Sequence, residues 1–232
     1  MSQEVILEWW KYFSKLIAPS TLTTIRIVFI TVLIGFAVGF ILSIILYLHS
    51  PMGLRPNKLI YKLVDFIVNL IRSIPIMILI VAVSPITRKI IGTSVGANAV
   101  ILPLALAASA FIARTLSNTY KDIDPQLIEA AQSFGSTDFQ IIMKVVVKES
   151  VPTIISVITL ATVTNIAGST IAGAVGGGGL GSIAMNYGYQ SFNDMILYTS
   201  VIVLYFMVQI VQIIGDKIYK RKKYRKRSIK NV

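Results

Sequence analysis

Three uncharged runs constrain this chain more than any other feature: residues 27–48, 90–113 and 195–215, of 22, 24 and 21 residues. A helix needs about 20 predominantly apolar residues to cross a bilayer core. A fourth uncharged run, 150–193, changes character partway, being rich in Ile, Val, Thr and Ala over 150–172 and in Gly over 173–181. It reads as one span over about 150–172, followed by a loop or re-entrant segment. A fifth span, roughly 60–86, is interrupted by Asp65 and Arg72. The expected fold class is an all-α integral membrane protein with about five transmembrane helices.

Composition agrees, with 14% charged residues and a mean hydropathy of +0.75, where a soluble domain carries about 25% charged residues. The absence of cysteine excludes a disulfide scaffold. The formal charge of +12 is unevenly spread. Nine of the 22 basic residues are Lys217, Lys220, Arg221, Lys222, Lys223, Arg225, Lys226, Arg227 and Lys230, and no acid follows Asp216. The body, residues 1–216, is nearly neutral. We divide the chain into an interfacial segment (1–18), a single transmembrane domain (19–216) and a basic cytoplasmic tail (217–232).

Orientation follows from the distribution of Lys and Arg, which concentrate on the cytoplasmic side. With five spans, the 49–62 loop, the 114–149 loop and the tail share one side and carry 16 basic residues, against 5 on the other (Lys11, Lys15, Arg26, Arg88, Lys89). This places the N-terminus outside and the C-terminus in the cytoplasm. The first 18 residues do not resemble a cleavable signal, because Glu4 and Glu8 occupy the region that would be basic. Trp9, Trp10, Tyr12, Phe13, Leu16 and Ile17 instead fit an amphipathic helix at headgroup depth.

The cytoplasmic loop 121–149 carries helix punctuation. Asp124 is a candidate N-cap with Pro125 at the first helical position. Leu127, Ile128, Ala131 and Phe134 recur at helical spacing, and Gly135 supplies a break. Thr137 with Gln140 forms a capping box for a second helix presenting Ile141, Ile142, Val145 and Val146. Two short helices with an apolar stripe at a membrane face must bury it, against lipid, their own spans or another protein.

The run Glu129-Ala130-Ala131, three residues and then Gly135 resembles the EAA loop of ABC importer permeases, with Val145 at the family's apolar position about ten residues on. Val147-Lys148 stands where that pattern has Leu-Pro. Arg72-Ser73-Ile74-Pro75 resembles an element of amino-acid importer permeases, and residues 172–192 resemble the methionine-importer permeases. The resemblance implies an ABC importer permease fold, working as a homodimer with the pathway between protomers in a bacterial cytoplasmic membrane. It implies two cytoplasmic ATP-binding subunits docked on the loop and an extracytoplasmic substrate-binding protein delivering methionine, D or L, or a related small amino acid. ATP would be bound and hydrolysed by the partner, with no cofactor or catalytic site on this chain. Glu129 and Gly135 would set the loop's geometry, and Leu127, Phe134, Ile142 and Val145 the docking surface.

Other features weigh less. Gly176–Gly181 lacks the Gly-Lys-Ser/Thr of a phosphate loop and reads as a flexible connector at the outer mouth of the pathway. Gly35 and Gly39 form a small-residue face compatible with a homodimer interface. Asp65 and Arg72 lie seven residues apart, too far along a helix to pair directly, so their expected partners are headgroups or loops. Asn165, Ser169, Thr170 and Ile171 are candidate pathway residues. His49, the only histidine, has no cysteine to share a metal with. The basic tail beside a membrane helix points to anionic lipid rather than nucleic acid. Two alternatives remain: a permease for another solute (a polar amino acid, betaine or phosphonate) and an ion-coupled secondary carrier, for which Asp65 is the one candidate carboxylate within the expected spans.

Overall fold

The computed structural model describes residues 3–230, excluding the side chains of residues 4, 5 and 224–230. The tail charges Arg225, Lys226, Arg227 and Lys230 therefore lie outside the described side chains. All regular structure among the described residues is helical: α1 (Gln3–Tyr12), α2 (Ala18–Leu48), α3 (Lys58–Ser73), α4 (Ile76–Ile91), α5 (Ile101–Lys121), α6 (Pro125–Ser133), α7 (Asp138–Gln140), α8 (Lys148–Ala172), α9 (Gly179–Ile183) and α10 (Asp194–Lys230). Wider π-helical turns join α1 to α2 (Phe13–Ile17) and α7 to α8 (Ile141–Val147) with no break in the helical path.

Among the described residues three helical stretches are long and apolar enough to cross a membrane, Ile6–Leu48, Ile101–Lys121 and Asp194–Lys223, and α3 with α4 make a fourth only as a bent pair. The expected span 60–86 is thus not one straight helix. Pro75 lacks the N–H that would continue the ladder, and the chain there takes an extended conformation (φ −55°, ψ 138°). The expected span 90–113 is also displaced. Gly92 ends α4 in the left-handed region (φ +86°), residues 93–100 turn, and the helix runs over 101–121. The expected span 150–172 falls within α8, whose 25 residues extend about 37 Å at 1.5 Å per residue.

The chain divides into two compact units, one of residues 1–34, 74–107 and 162–211, the other of 35–73, 108–161 and 212–232. In the first, Ile27, Ile80, Val100, Leu104 and Ala172 form the core. Trp9 Nε1 donates to Thr199 Oγ1 at 3.1 Å, tying α1 to α10. The Gly-rich segment is a tightly packed chain of short helical turns, which corrects the expectation of a flexible connector. A Cβ on Gly173 would collide with the Ser182 backbone nitrogen, and one on Gly181 with the Thr170 backbone. Gly176, Gly178 and Gly179 all take positive φ. Buried Thr24 of α2 accepts a hydrogen bond from Leu180 N at 2.9 Å, capping α9 from 156 residues away.

In the second unit the core is Tyr47, Ile112, Leu116, Tyr120, Ile141, Val146 and Val157, with Tyr47 and Tyr120 edge to face at 5.9 Å. A smaller cluster joins Leu46, Val68, Ala110 and Ala113. Gly35 and Gly39 face α5 of the same chain, against Ala108, Ser109 and Ile112, so they serve close helix approach within the protomer. Gly215 of α10 abuts the Thr159 side chain of α8. The residues expected to form a separate tail continue α10, whose exposed Val201, Ile202, Phe206 and Ile210 carry no penalty where the solvent is lipid.

Candidate functional site: the capped hairpin over residues 121–149

Each expected punctuation mark in this segment is present. The Asp124 carboxylate accepts from Gln126 N at 3.0 Å, and Pro125 opens α6. At the other end Gly135 takes φ +71°, Gly135 N donates to Gln132 O (2.9 Å) and Ser136 N donates to Ala131 O (3.1 Å). This is the paired bonding of a Schellman cap, and it satisfies two carbonyls that the helix end would leave open. Thr137 N then donates to Gln140 Oε1 at 3.0 Å while Gln140 N donates to Thr137 Oγ1 at 3.4 Å, closing the capping box of α7. These bonds fix a rigid helix–turn–helix whose first arm is largely exposed.

Exposure separates the expected docking residues. Phe134 is 88% exposed and Leu127 38%. Glu129, Ala130 and Gly135 are also exposed, while Ala131 is half-buried. Ile142, by contrast, is buried at 5%, and Val145 is half-buried, packed against the core of the second unit. The reason is periodic: Ile141, Val145 and Val146 lie on the side of the helix that covers Tyr120 and Val157. Phe139, 70% exposed, was not singled out from the sequence and joins Phe134 on the accessible side. Its signal was an aromatic residue directly inside a capping box, at a position that the inward stripe does not include.

Polar contacts tie the hairpin to α3. Arg55, in the turn before α3, forms an ion pair with Asp138, the first residue of α7. Asp65 pairs with Arg114 at 2.6 Å, and its other oxygen accepts from Asn69 Nδ2 at 2.9 Å. This corrects the expectation of headgroup or loop partners for Asp65. Arg114, taken from the sequence as a loop residue, lies within α5, so both charges sit in helices and neutralise one another.

Among the residues expected near the pathway, Asn165 and Ser169 are buried, Thr170 is half-buried and Ile171 is 39% exposed. Ser169 and Thr170 both donate to Ile166 O, at 2.7 and 3.1 Å.

Comparison with known proteins accords with this geometry. The model of the family described as "Binding-protein-dependent transport system inner membrane component" matches residues 39–224. A probable D-methionine transport system permease protein of Vibrio cholerae is 39% identical over 225 residues, 97% of this chain and all of that protein. A methionine import system permease protein of Bacillus subtilis is 38% identical over 174 residues, 75% of this chain and 78% of that one. Among solved structures, an inward-facing methionine ABC transporter gives a TM-score of 0.87 at 35% identity, covering 96% of this chain and 99% of that chain. An amino acid ABC transporter at 17% identity shares the fold, with a TM-score of 0.71. With four fifths of its length matched by the family model and a relative aligned end to end, this chain belongs to the inner membrane components of binding-protein-dependent transport systems.

Proposed function

We propose that the chain is the membrane-spanning subunit of an ATP-driven importer of methionine. The observation that carries this reading is the doubly capped hairpin at 121–149, on which Phe134 and Phe139 are 88% and 70% exposed and Leu127 38% exposed among the described residues. They form a surface of the kind a cytoplasmic ATPase engages, and the end-to-end similarity to methionine permeases supports the cargo. ATP is bound and hydrolysed by that partner, two copies of which act on a homodimer of this chain. An extracytoplasmic binding protein delivers the amino acid to the outer mouth.

The orientation we propose, N-terminus outside and C-terminus in the cytoplasm, keeps its support when Arg114 is moved from the loop into α5, leaving 15 basic residues against 5. In this frame α1 lies at headgroup depth, where Trp10 is 60% exposed. The basic end of α10 meets anionic lipid at the cytoplasmic face. Thr170 and Ile171, which retain accessible surface, line the pathway, with Asn165 and Ser169 packed behind them.

The test is uptake of labelled methionine by vesicles containing this chain and its ATPase, with and without ATP and binding protein. Uptake that requires all of them is the expected result. ATP-independent uptake by this chain alone overturns the reading.

A further inference from the structure

We propose that α3 and the 121–149 hairpin move as one strut, and that Asp65, Arg114, Arg55 and Asp138 are the positioning residues that lock it. This rests on the reading of the hairpin as the ATPase-coupling element and adds which membrane helix receives its displacement.

The geometry is specific. Helix α6, the exposed arm, is entered from Lys121 and left towards Asp138, and both feet are tied to the start of α3. At the entry, Lys121 Nζ donates to Tyr61 Oη at 3.3 Å and lies 5.2 Å from the Tyr61 ring centroid. At the exit, Asp138 holds Arg55, three residues before α3 begins. One turn beyond Tyr61, Asp65 takes Arg114, seven residues before the end of α5. Asn69, a further turn on, braces the free oxygen of Asp65. Tyr61, Asp65 and Asn69 recur every four residues, so one stripe of α3 is committed to this polar seam. Beside it Val68 packs with Ala110 and Ala113 of α5.

The two ion pairs differ in character. Arg55 is 74% exposed at its side chain, whereas Asp65 and Arg114 are 25% and 23% exposed. The inner pair therefore has little water to replace its partner, and parting it leaves a charge within a membrane helix. A push on α6 reaches α3 directly through two polar contacts, Lys121 with Tyr61 and Asp138 with Arg55, and indirectly through α5, which the Asp65–Arg114 pair and the Val68 seam fasten to α3.

The experiment uses the complex of this chain, its ATPase and the binding protein in vesicles, reading methionine imported per ATP hydrolysed. Asp65→Asn and Arg114→Gln are each expected to lower that ratio about five- to hundredfold, the range of ordinary coupling between sites, with ATPase copurification unchanged. The exchange Asp65→Arg with Arg114→Asp is expected to recover most of it. A merely structural pair would change yield and thermal stability and leave the ratio alone. A parental ratio in the single variants, or an exchange that recovers nothing, overturns the strut. A second arm uses the absence of native cysteine. Arg55→Cys with Asp138→Cys, bridged by a short bis-thiol reagent, is expected to keep uptake, because the two sites do not part during the cycle. Loss of uptake on bridging overturns the proposal even if the single variants fold poorly. A parent chain that copurifies no ATPase overturns the coupling reading and the strut together. A parent that transports while the single variants keep its ratio overturns the strut alone.

Discussion

Gly35 of α2 lies so close to Ala108 of α5 that a Cβ at position 35 would come within 2.6 Å of the Ala108 Cβ. One turn on, a Cβ at Gly39 would stand 2.7 Å from the Ser109 carbonyl oxygen. The α2–α5 crossing is thus set by two missing side chains and not by large interlocking ones. Gly35→Val and Gly39→Val are expected to push the helices apart, at about 1–3 kcal/mol each, as overpacking costs elsewhere. Thermal unfolding in detergent checks this. Both variants should melt well below the parent, and Gly35→Ala should fall between, since the Ala108 Cβ is fixed to its backbone and the two helices must part slightly to admit a methyl.

The docking surface separates from the core by a paired test. Phe134→Ala and Phe139→Ala remove side chains that are 88% and 70% exposed, so they should leave thermal stability near the parent's and reduce copurification of the ATPase. Ile142→Ala removes a buried side chain and should cost about 2–5 kcal/mol of stability. Measuring melting temperature and ATPase retention on the same preparations distinguishes the two classes. An Ile142→Ala chain that melts like the parent but loses the ATPase would return Ile142 to the interface.

Gly135 makes a prediction about backbone alone. It takes φ +71° and nothing lies within 4 Å of where its Cβ would be. Any loss of the chain's own stability on substitution therefore comes from forcing an L-residue into the left-handed region, about 1–2 kcal/mol. Asn visits that region most readily, and a β-branched residue least. Uptake and stability should fall in the order Gly, Asn, Ala, Val. Equal behaviour of Asn and Val would mean that the turn relaxes out of the Schellman geometry without consequence.

The residues that were legible in the sequence share one property: their partners are near in the chain. Asp124 with Pro125, Gly135, and Thr137 with Gln140 bond within a few residues of themselves, so spacing alone identifies them. Asp65 was not legible, because Arg114 is 49 residues away and the uncharged run 90–113 masks the turn at 93–100 that sets the register of α5. Once the helix is moved to 101–121, Arg114 falls inside it and the half-buried Asp65 has its partner. The burial of Ile142 is hidden from the sequence for a related reason. Periodicity identifies a stripe on a helix, but not whether another chain or the protein's own core covers it.

Thr24 and Leu180 offer a test of long-range capping. Thr24 Oγ1 is the acceptor for the buried Leu180 N–H, at 2.9 Å, and Thr24 is 2% exposed. Thr24→Val keeps the shape and removes the acceptor, leaving a donor without a partner at about 1–3 kcal/mol. Thr24→Ser keeps the oxygen and should cost less. Melting curves of the two variants side by side check the order, and a Val variant as stable as Ser would show that the bond contributes nothing.

The Gly-rich segment gives the strongest contrast between glycines that pack and glycines that only turn. At Gly173 and Gly181 the obstacle to a Cβ is backbone, of Ser182 and of Thr170, and backbone cannot rotate aside as a side chain can. At Gly92 and Gly96 there is nothing within 4 Å, and the sole demand is positive φ. Gly173→Ala and Gly181→Ala should therefore prevent α8 and α9 from closing on one another, lowering folded yield and abolishing uptake. Gly92→Asn and Gly96→Asn should be tolerated, within about 1 kcal/mol of the parent, because Asn accepts the left-handed region. The measurement is size-exclusion yield and melting temperature of the four variants, followed by uptake. If the alanine variants at 173 and 181 fold and transport like the asparagine variants at 92 and 96, the segment is the flexible connector that its composition first indicated.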